Sequence, residues 1–334
     1  MVLIHCMLPT GLGVIACALA RFAVPLFFMV SGYYLRRDDM TNAQVHERMC
    51  LKVKRFGGLL LDWALFYLAW TLLRAYASDG VTGVRTALGE IFTIRHIFSL
   101  LLLNDFTAIG GHLWFIAALL CCYGLFRYAG CKWLDKCGGS VAAILLGVYI
   151  VGRGVLAIRG VDSIGGIPAY LWLRNGAFMG LPFVALGDWI RRNQVLLTER
   201  LTKMNLIAML ISGAVLTVIE AGIVQMLTGD DRELYLGTLL MVGAMFLWAV
   251  KEPQRARESW LTRLAKYDAQ TFYLMHLWVI EALGMVIVRA GLNLPITARI
   301  KPFAAMALSA AISVAWRRCR TMIKGAHSKR AKIV

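Results

Sequence analysis

Ionisable side chains are rare in the apolar runs of this 334-residue chain. Each one that occurs there is a candidate for chemistry, because a polar group facing lipid is costly and usually faces a cavity or a partner instead. His5 comes first. It is a lone imidazole in an apolar run, and an ordinary pKa of about 6.5 suits it to move protons at neutral pH. Arg21, Ser31, Asp62, Arg153, Arg174, Asp188, Glu220, His276 and Glu281 lie in later runs, and His112 stands at the outer end of one. Taken singly, such groups serve most simply to pair with one another and hold a helix bundle together. Their company favours function at some positions. In "RFAVPLFFMVSGYYL" (21–35), Pro25 removes a backbone donor and frees carbonyls, and the small pair Ser31-Gly32 lets a backbone or ligand approach closely. HExxH, GxSxG and P-loop patterns are absent from the sequence, so zinc, serine and ATP hydrolysis have no support.

These residues need elements to position them, and composition says which. Of the chain, 59% is hydrophobic and only 16% is Asp, Glu, Lys or Arg, against about 25% charged in an ordinary soluble domain. Such a chain in water would expose large apolar patches; a bilayer removes that difficulty. The formal charge of +17 could suggest nucleic acid, but it sits in short clusters between apolar runs, the pattern of a membrane protein. The eight cysteines read as buried or inert thiols. Cys6, Cys17, Cys121 and Cys122 lie in apolar runs, and Cys50, Cys131, Cys137 and Cys319 lie in or beside basic segments on the reducing side. The Cys131/Cys137 spacing is too wide for a zinc knuckle and has no histidine nearby. The chain opens on an apolar run without the basic region of a cleavable signal peptide.

A spanning helix needs about 20 apolar residues. The runs predict an all-α, polytopic transmembrane bundle of about ten helices: a partial one at 1–10, then 18–35, 57–76, 113–129, 140–158, 171–190, 205–223, 234–250, 269–288 and 298–316. The stretch 77–112 is the longest without a span. Its amphipathic middle, "LGEIFTIRHIFSLLLLN", reads as an interfacial or re-entrant helix. Alternate connections (36–55, 127–136, 191–203, 251–266 and 317–332) carry 25 of the 36 lysines and arginines. That asymmetry places them, and the C-terminus, in the cytoplasm. The start of the chain then also belongs there, yet Met1–Pro9 makes only about 13 Å of helix against a hydrocarbon core of about 30 Å. The expectation is a clipped first helix whose natural chain begins upstream. Residues 1–316 form one transmembrane domain, and 317–334 form a short, basic, flexible cytoplasmic tail.

At "RFAVPLFFMVSGYYL" the chain resembles the membrane acyltransferase 3 family, which includes bacterial glycan O-acetyltransferases. That family shows a first-helix histidine followed by an Arg…Val-Pro-x-Phe-Phe…Ser-Gly-Tyr helix. Here His5 is followed by Arg21, Val24-Pro25, Phe27-Phe28 and Ser31-Gly32-Tyr33. An Arg-x-x-Arg-like element stands as Lys52-Val53-Lys54-Arg55, and an outer His-x-Trp as His112-Leu113-Trp114. An Arg…Phe…Pro-Phe…Leu-Gly helix runs through Arg174–Gly187, and a Tyr-Leu-x-His helix is Tyr273-Leu274-Met275-His276. Order and spacing match over about residues 5–280. Two departures stand out. The family's arginine about eleven residues before the histidine would precede Met1, and Lys52 replaces an arginine with a weaker planar anion clamp.

The resemblance implies transfer of an acyl group, acetyl in most members, from cytoplasmic acyl-CoA to a hydroxyl of a cell-surface or lipid-linked glycan, with no bound cofactor or metal. It makes His5 the catalytic base or transient acyl carrier. It places Lys52, Lys54, Arg55, Arg21 and Ser31 at the acyl-CoA, the basic group doubling as a topogenic signal. Arg174, His112, Trp114, Tyr33 and His276 fall to the acceptor, with His112, Trp114 and His276 nearer the outer half. Membrane lipid, acyl-CoA and a hydroxyl acceptor are the implied partners, and nucleic acid is not one; the implied location is the inner cell membrane. Two rival readings stand beside it. A glycan or lipid flippase predicts inverted repeats of interrupted helices, which are not evident. A non-catalytic membrane module, such as the membrane half of a serine racemase, predicts a soluble domain after the last span.

Overall fold

The computed structural model describes residues 1–9, 11–36, 40–130, 132–229, 231–253, 259–292 and 294–330, with side chains through Met322; Cys131 and the last residues of the expected tail lie outside them. The chain is 85% helical, and a two-residue hairpin, Ser163–Ile164 with Ile167–Pro168, holds the described strands. Among the described residues seven helices are long and apolar enough to cross a membrane, so this is a multi-pass, all-α membrane protein. Leu61, Leu73, Ile144, Val151 and Ile211 stand exposed on helix exteriors, as lipid-facing surface requires. The contacts divide the chain into two compact units, Met1–Ala20 with Glu252–Val334, and Arg21–Lys251.

The first unit holds α1 (Val2–His5) and α2 (Gly11–Ala20). The expected partial span at 1–10 is thus a single short turn of helix. The second unit opens with a turn at Arg21–Phe22 and then α3 (Ala23–Tyr33). Pro25 stands in the first turn of α3, where its missing N–H costs little. Its ring would clash with the carbonyl four residues back, which accounts for the interruption at Arg21.

α4 (Asn42–Ile91) is far longer than the expected 57–76. A capping box starts it, with the Thr41 hydroxyl accepting from the Gln44 amide at 3.3 Å and the Gln44 side chain accepting from the Thr41 amide at 2.8 Å. Asp79 and Gly80 (φ 58°) depart from helical geometry and break it, so a second helical piece occupies much of what read as a non-spanning stretch. The amphipathic segment follows as α5 (Ile94–Leu103), closed by Asn104 in the left-handed region. α6 (Thr107–Gly110) and a 3-10 turn at Gly111–Leu113 lead into α7 (Trp114–Ala129), and α8 (Lys132–Ile158) follows.

The expected helix 171–190 is broken. A 3-10 turn (Ala169–Trp172) and a π-helical stretch (Gly176–Gly180) precede α9 (Leu181–Arg192). Asn175 causes the break: its Oδ1 accepts from the Ala177 and Phe178 amides at 3.0 and 3.2 Å, and its Nδ2 donates to the Trp172 carbonyl at 2.9 Å. α9 lies tight against α3. A Cβ on Gly32 would stand 2.0 Å from the Val184 carbonyl oxygen, and one on Gly187 would stand 2.1 Å from that of Met29. The smallness of Gly32 therefore serves a helix crossing. α10 (Gln194–Arg200), α11 (Lys203–Thr228) and α12 (Leu236–Lys251) complete this unit, α12 being shorter than a full span at 16 residues.

The rest of the first unit is α13 (Trp260–Tyr267), α14 (Ala269–Arg289) and α15 (Pro295–Arg330). Val2 and Cys6 are buried with Val279, Ile280 and Ala305, which is how so short a helix as α1 is held. Arg317 Nε donates to the buried Asp268 Oδ1 at 2.8 Å. α15 continues through 317–330, so the segment expected as a flexible tail is helical over those residues.

Candidate functional site

The first unit brings two expected residues together. His5, exposed at the end of α1, and His276, fully buried on α14, have ring centroids 5.3 Å apart with planes tilted by 48°. His276, Val279 and Ile280 share one face of α14 by their three- and four-residue spacing, and the two apolar members pack with α1. His276 Nδ1 lies 2.5 Å from the Tyr273 carbonyl oxygen. A carbonyl only accepts, so Nδ1 carries the proton of that bond. An anchored imidazole beside an exposed one is an arrangement for proton transfer.

The second unit gathers a basic group on α4. Arg48, Lys52 and Arg55 share a face at spacings of four and three. Lys52 Nζ donates to the Tyr123 hydroxyl at 3.3 Å and the Tyr34 carbonyl at 3.4 Å, and lies 4.6 Å from the Tyr123 ring centroid. Arg48 donates to the same carbonyl at 3.1 Å. Ser31, which donates to the Phe27 carbonyl at 2.8 Å, also interacts with the Tyr123 hydroxyl. Nearby, the buried Asp188 receives Arg36 through two 2.9 Å bonds and Arg192 at 3.1 Å, and Asp135 pairs with Arg36 as well. Burial opposes the charge on Arg36, but the hydrogen bonds it donates to Asp135 and Asp188 more than offset it and hold the guanidinium above its ordinary pKa.

A second polar group of this unit surrounds the α12 start. Arg21 pairs with Asp231. Arg153 meets Glu233 at 3.4 Å, and Glu233 accepts from the Tyr149 hydroxyl at 3.0 Å. Tyr170 stands between two guanidiniums, Arg174 at 4.8 Å and Arg153 at 5.9 Å from its ring centroid. Arg174 also lies 5.3 Å from the Trp114 centroid, and its Nε–H is buried without a hydrogen-bond partner among the described residues. His112 is buried edge-on against Tyr67 at 4.8 Å.

A family model described as an acyltransferase domain, the acyltransferase 3 family, matches residues 1–317. The chain belongs to the acyltransferase 3 family. No curated protein and no solved structure matches it.

Set against what an acyltransferase of this family needs, the residues named from the sequence fall into distinct places. His5 and His276 meet; the sequence had given them separate roles. Ser31 and Lys52 meet through Tyr123. Arg55 and Lys54 are exposed, and Lys54, two positions from Lys52, falls on another face of α4. Arg21, expected with the donor group, stands ten residues or roughly 15 Å of helix from Ser31 and joins Asp231 instead. Trp114 is buried beside Phe28 and Arg174. Tyr33 donates to Gln194 at 2.6 Å and carries Arg191 over its ring at 5.2 Å. Arg48 and Tyr123 were missed. Arg48 was legible as the cation four residues before Lys52 on the same helical face; Tyr123 gave no signal. Among the described residues no cluster of His, Cys, Asp or Glu is built to hold a metal.

Proposed function

We propose that this acyltransferase moves an acyl group, acetyl by family habit, from acyl-CoA at the cytoplasmic face of the inner membrane to a hydroxyl of a cell-surface or lipid-linked glycan. The observation that carries the reading is the His5–His276 pair in a chain of this family. An alcohol is a poor nucleophile at neutral pH and needs a base. His5 takes the hydroxyl proton as the oxygen attacks the thioester carbonyl carbon. The carbon–oxygen bond forms, the carbon–sulfur bond breaks, and the CoA thiolate leaves and receives the proton from the His5 imidazolium.

Arg48, Lys52 and Arg55 meet the CoA phosphates, since charge-assisted bonds to phosphate are strong. Ser31 and Tyr123 sit beside that group. Arg174, with its buried donor, faces the acceptor, as do His112, Trp114, Tyr33 and His276 in the family's scheme, while Arg21 and Ser31 fall to the donor. Lysine and arginine asymmetry supports a cytoplasmic C-terminus.

The test is transfer of radiolabelled acetyl from acetyl-CoA by the full chain in membrane vesicles. His5→Ala is expected to lower transfer by roughly 10²- to 10⁴-fold, the usual yield of general-base catalysis, while the protein still inserts and runs as one species in detergent. Transfer close to that of the parent would remove His5 from the mechanism.

A further inference from the structure

The first unit contains a cavity of about 540 Å³ where the end of α14 meets the start of α15, within the range of about 300–1,000 Å³ usual for small-ligand sites. We propose that it binds the head group of an anionic phospholipid, with the phosphate on Lys301. Such a site lies outside the transfer reaction and does not depend on it.

Lys301 is the one cation among the described residues that line the cavity. Its ammonium reaches from α15 to α14 and lies over Gly284, where a Cβ would stand 3.0 Å from Nζ. Among the described residues that ammonium has neither a hydrogen bond nor an ion pair. Its place in the sequence makes this costly. Lys301 stands six residues after Pro295, about 9 Å of helix inside the end of an apolar span, and an ionisable group at such a position calls for a partner. From residue 282 to the C-terminus the sequence has no Asp or Glu, and Glu281, one turn before Gly284, does not line the cavity.

The rest of the wall favours a lipid over a free anion. Ile287, Val288, Leu292, Leu294 and Ala298 are apolar, and Val288, Leu292 and Leu294 stand exposed. They occupy the end of one span, the connection and the start of the next, which is the depth of head groups and the first methylenes. Inorganic phosphate gains nothing from such a surface, whereas glycerol and the upper acyl chain are removed from water on it. Thr297 adds a hydroxyl to the wall. The exposed Arg289 and Arg299 stand at the same end and extend the positive field, so the ammonium of a zwitterionic head group meets like charge. In the orientation proposed above, this end lies away from the cytoplasm, where lysine and arginine are sparse. Residues 289–301 nonetheless carry three, more than any other connection on that face, and an anionic head group neutralises them. The site also bears on α1. Ala305, four residues beyond Lys301 on α15, is buried with Val2 and Cys6, so a lipid joining Lys301 to the end of α14 braces the packing that seats the helix ending in His5.

Native mass spectrometry of the purified full chain tests this, with phosphatidylglycerol and phosphatidylcholine offered together in equal amounts in detergent. The parent is expected to retain phosphatidylglycerol over phosphatidylcholine by about five-fold, the share of one lysine in binding anionic lipid. Lys301→Gln should bring the ratio close to one, and Lys301→Arg should keep it. Thr297→Asp, which sets a carboxylate in the cavity wall, should also abolish the preference, so the outcome does not hang on the folding of one variant. Arg299→Gln removes an exposed charge that does not line the cavity and should stay within about two-fold of the parent. Equal retention of both lipids by the parent overturns the proposal, whatever the variants do. So does a preference that survives Lys301→Gln or Thr297→Asp, or one lost equally in Arg299→Gln, which marks a diffuse basic surface. Displacement of the bound phosphatidylglycerol by inorganic phosphate would show that the site reads the anion alone, and would overturn the lipid assignment.

Discussion

His276 is the residue whose placement changes the chemistry most. A base must be held at the angle that takes the proton, and displacement by an ångström costs about 10²-fold in rate. His5 ends a helix of only four residues, so its own element positions it weakly. His276 is fully buried and fixed through Nδ1 to Tyr273, and its ring lies against that of His5. His276→Ala is therefore expected to lower the turnover number by about 10²-fold with the Michaelis constant for acyl-CoA unchanged. His276→Gln, which keeps a polar group of similar reach, should recover part of the loss. A rise in the Michaelis constant with turnover intact would instead assign His276 to substrate binding. Individual residues of this pair were legible as polar groups in apolar runs, but their meeting was not: nearly the whole chain separates them, and no periodicity reports a contact at that distance. Arg21 is similar. Its cost in lipid could be read, whereas its partner, Asp231, lies 210 residues away.

Helix crossings depend on groups that the apolar pattern hides. α3 and α9 approach until Gly32 and Gly187 touch opposing carbonyls, and at one end Asp188 ties Arg36 and Arg192 together. Asp188 is 1% exposed, while the two guanidiniums keep 19% and 26%. Removing its carboxylate leaves two cations short of a partner. Breaking a buried pair from one side costs about 3–5 kcal/mol, and the partial exposure of the arginines sets Asp188→Ala near the lower end, about 3 kcal/mol. A large fall in unfolding temperature in detergent would show it, and a fall no greater than that of a surface change such as Glu199→Ala would refute it. Long helices with clear hydrophobic runs were legible, as were the carbonyls that Pro25 frees and the close-packing role open to Gly32. Two features were not. α4 continues past the membrane-length run because helix propensity and the Thr41 cap carry it through polar residues, and the 171–190 run breaks because one side chain, Asn175, claims the amides of the next turn.

Across the whole molecule, length and charge count the spans differently. Among the described residues seven helices pass by length and composition, whereas the lysine and arginine asymmetry needs α12 and the broken 171–190 run to cross as well. The crossing is physically reasonable despite the break. The π stretch and α9 together hold 5 and 12 residues, about 25 Å at 1.5 Å per residue, which nearly covers a hydrocarbon core of about 30 Å. Asn175 and Asn104 satisfy the interrupted backbone internally, since the Gly176 amide donates to Asn104 Oδ1 at 2.9 Å, as irregular backbone at membrane depth requires. If this segment crosses, residues 159–170 and 191–203 lie on opposite faces. Single-cysteine versions carrying Ser163→Cys or Glu199→Cys, both exposed positions, are therefore expected to react with a membrane-impermeant maleimide from opposite sides. Ser163→Cys should react in right-side-out vesicles and Glu199→Cys in inverted ones, alongside the native Cys319. Labelling of both from one side would mean that the broken helix turns back within the membrane. The basic 191–203 segment would then lie away from the other basic connections, and the charge argument for a cytoplasmic donor site would lose its footing.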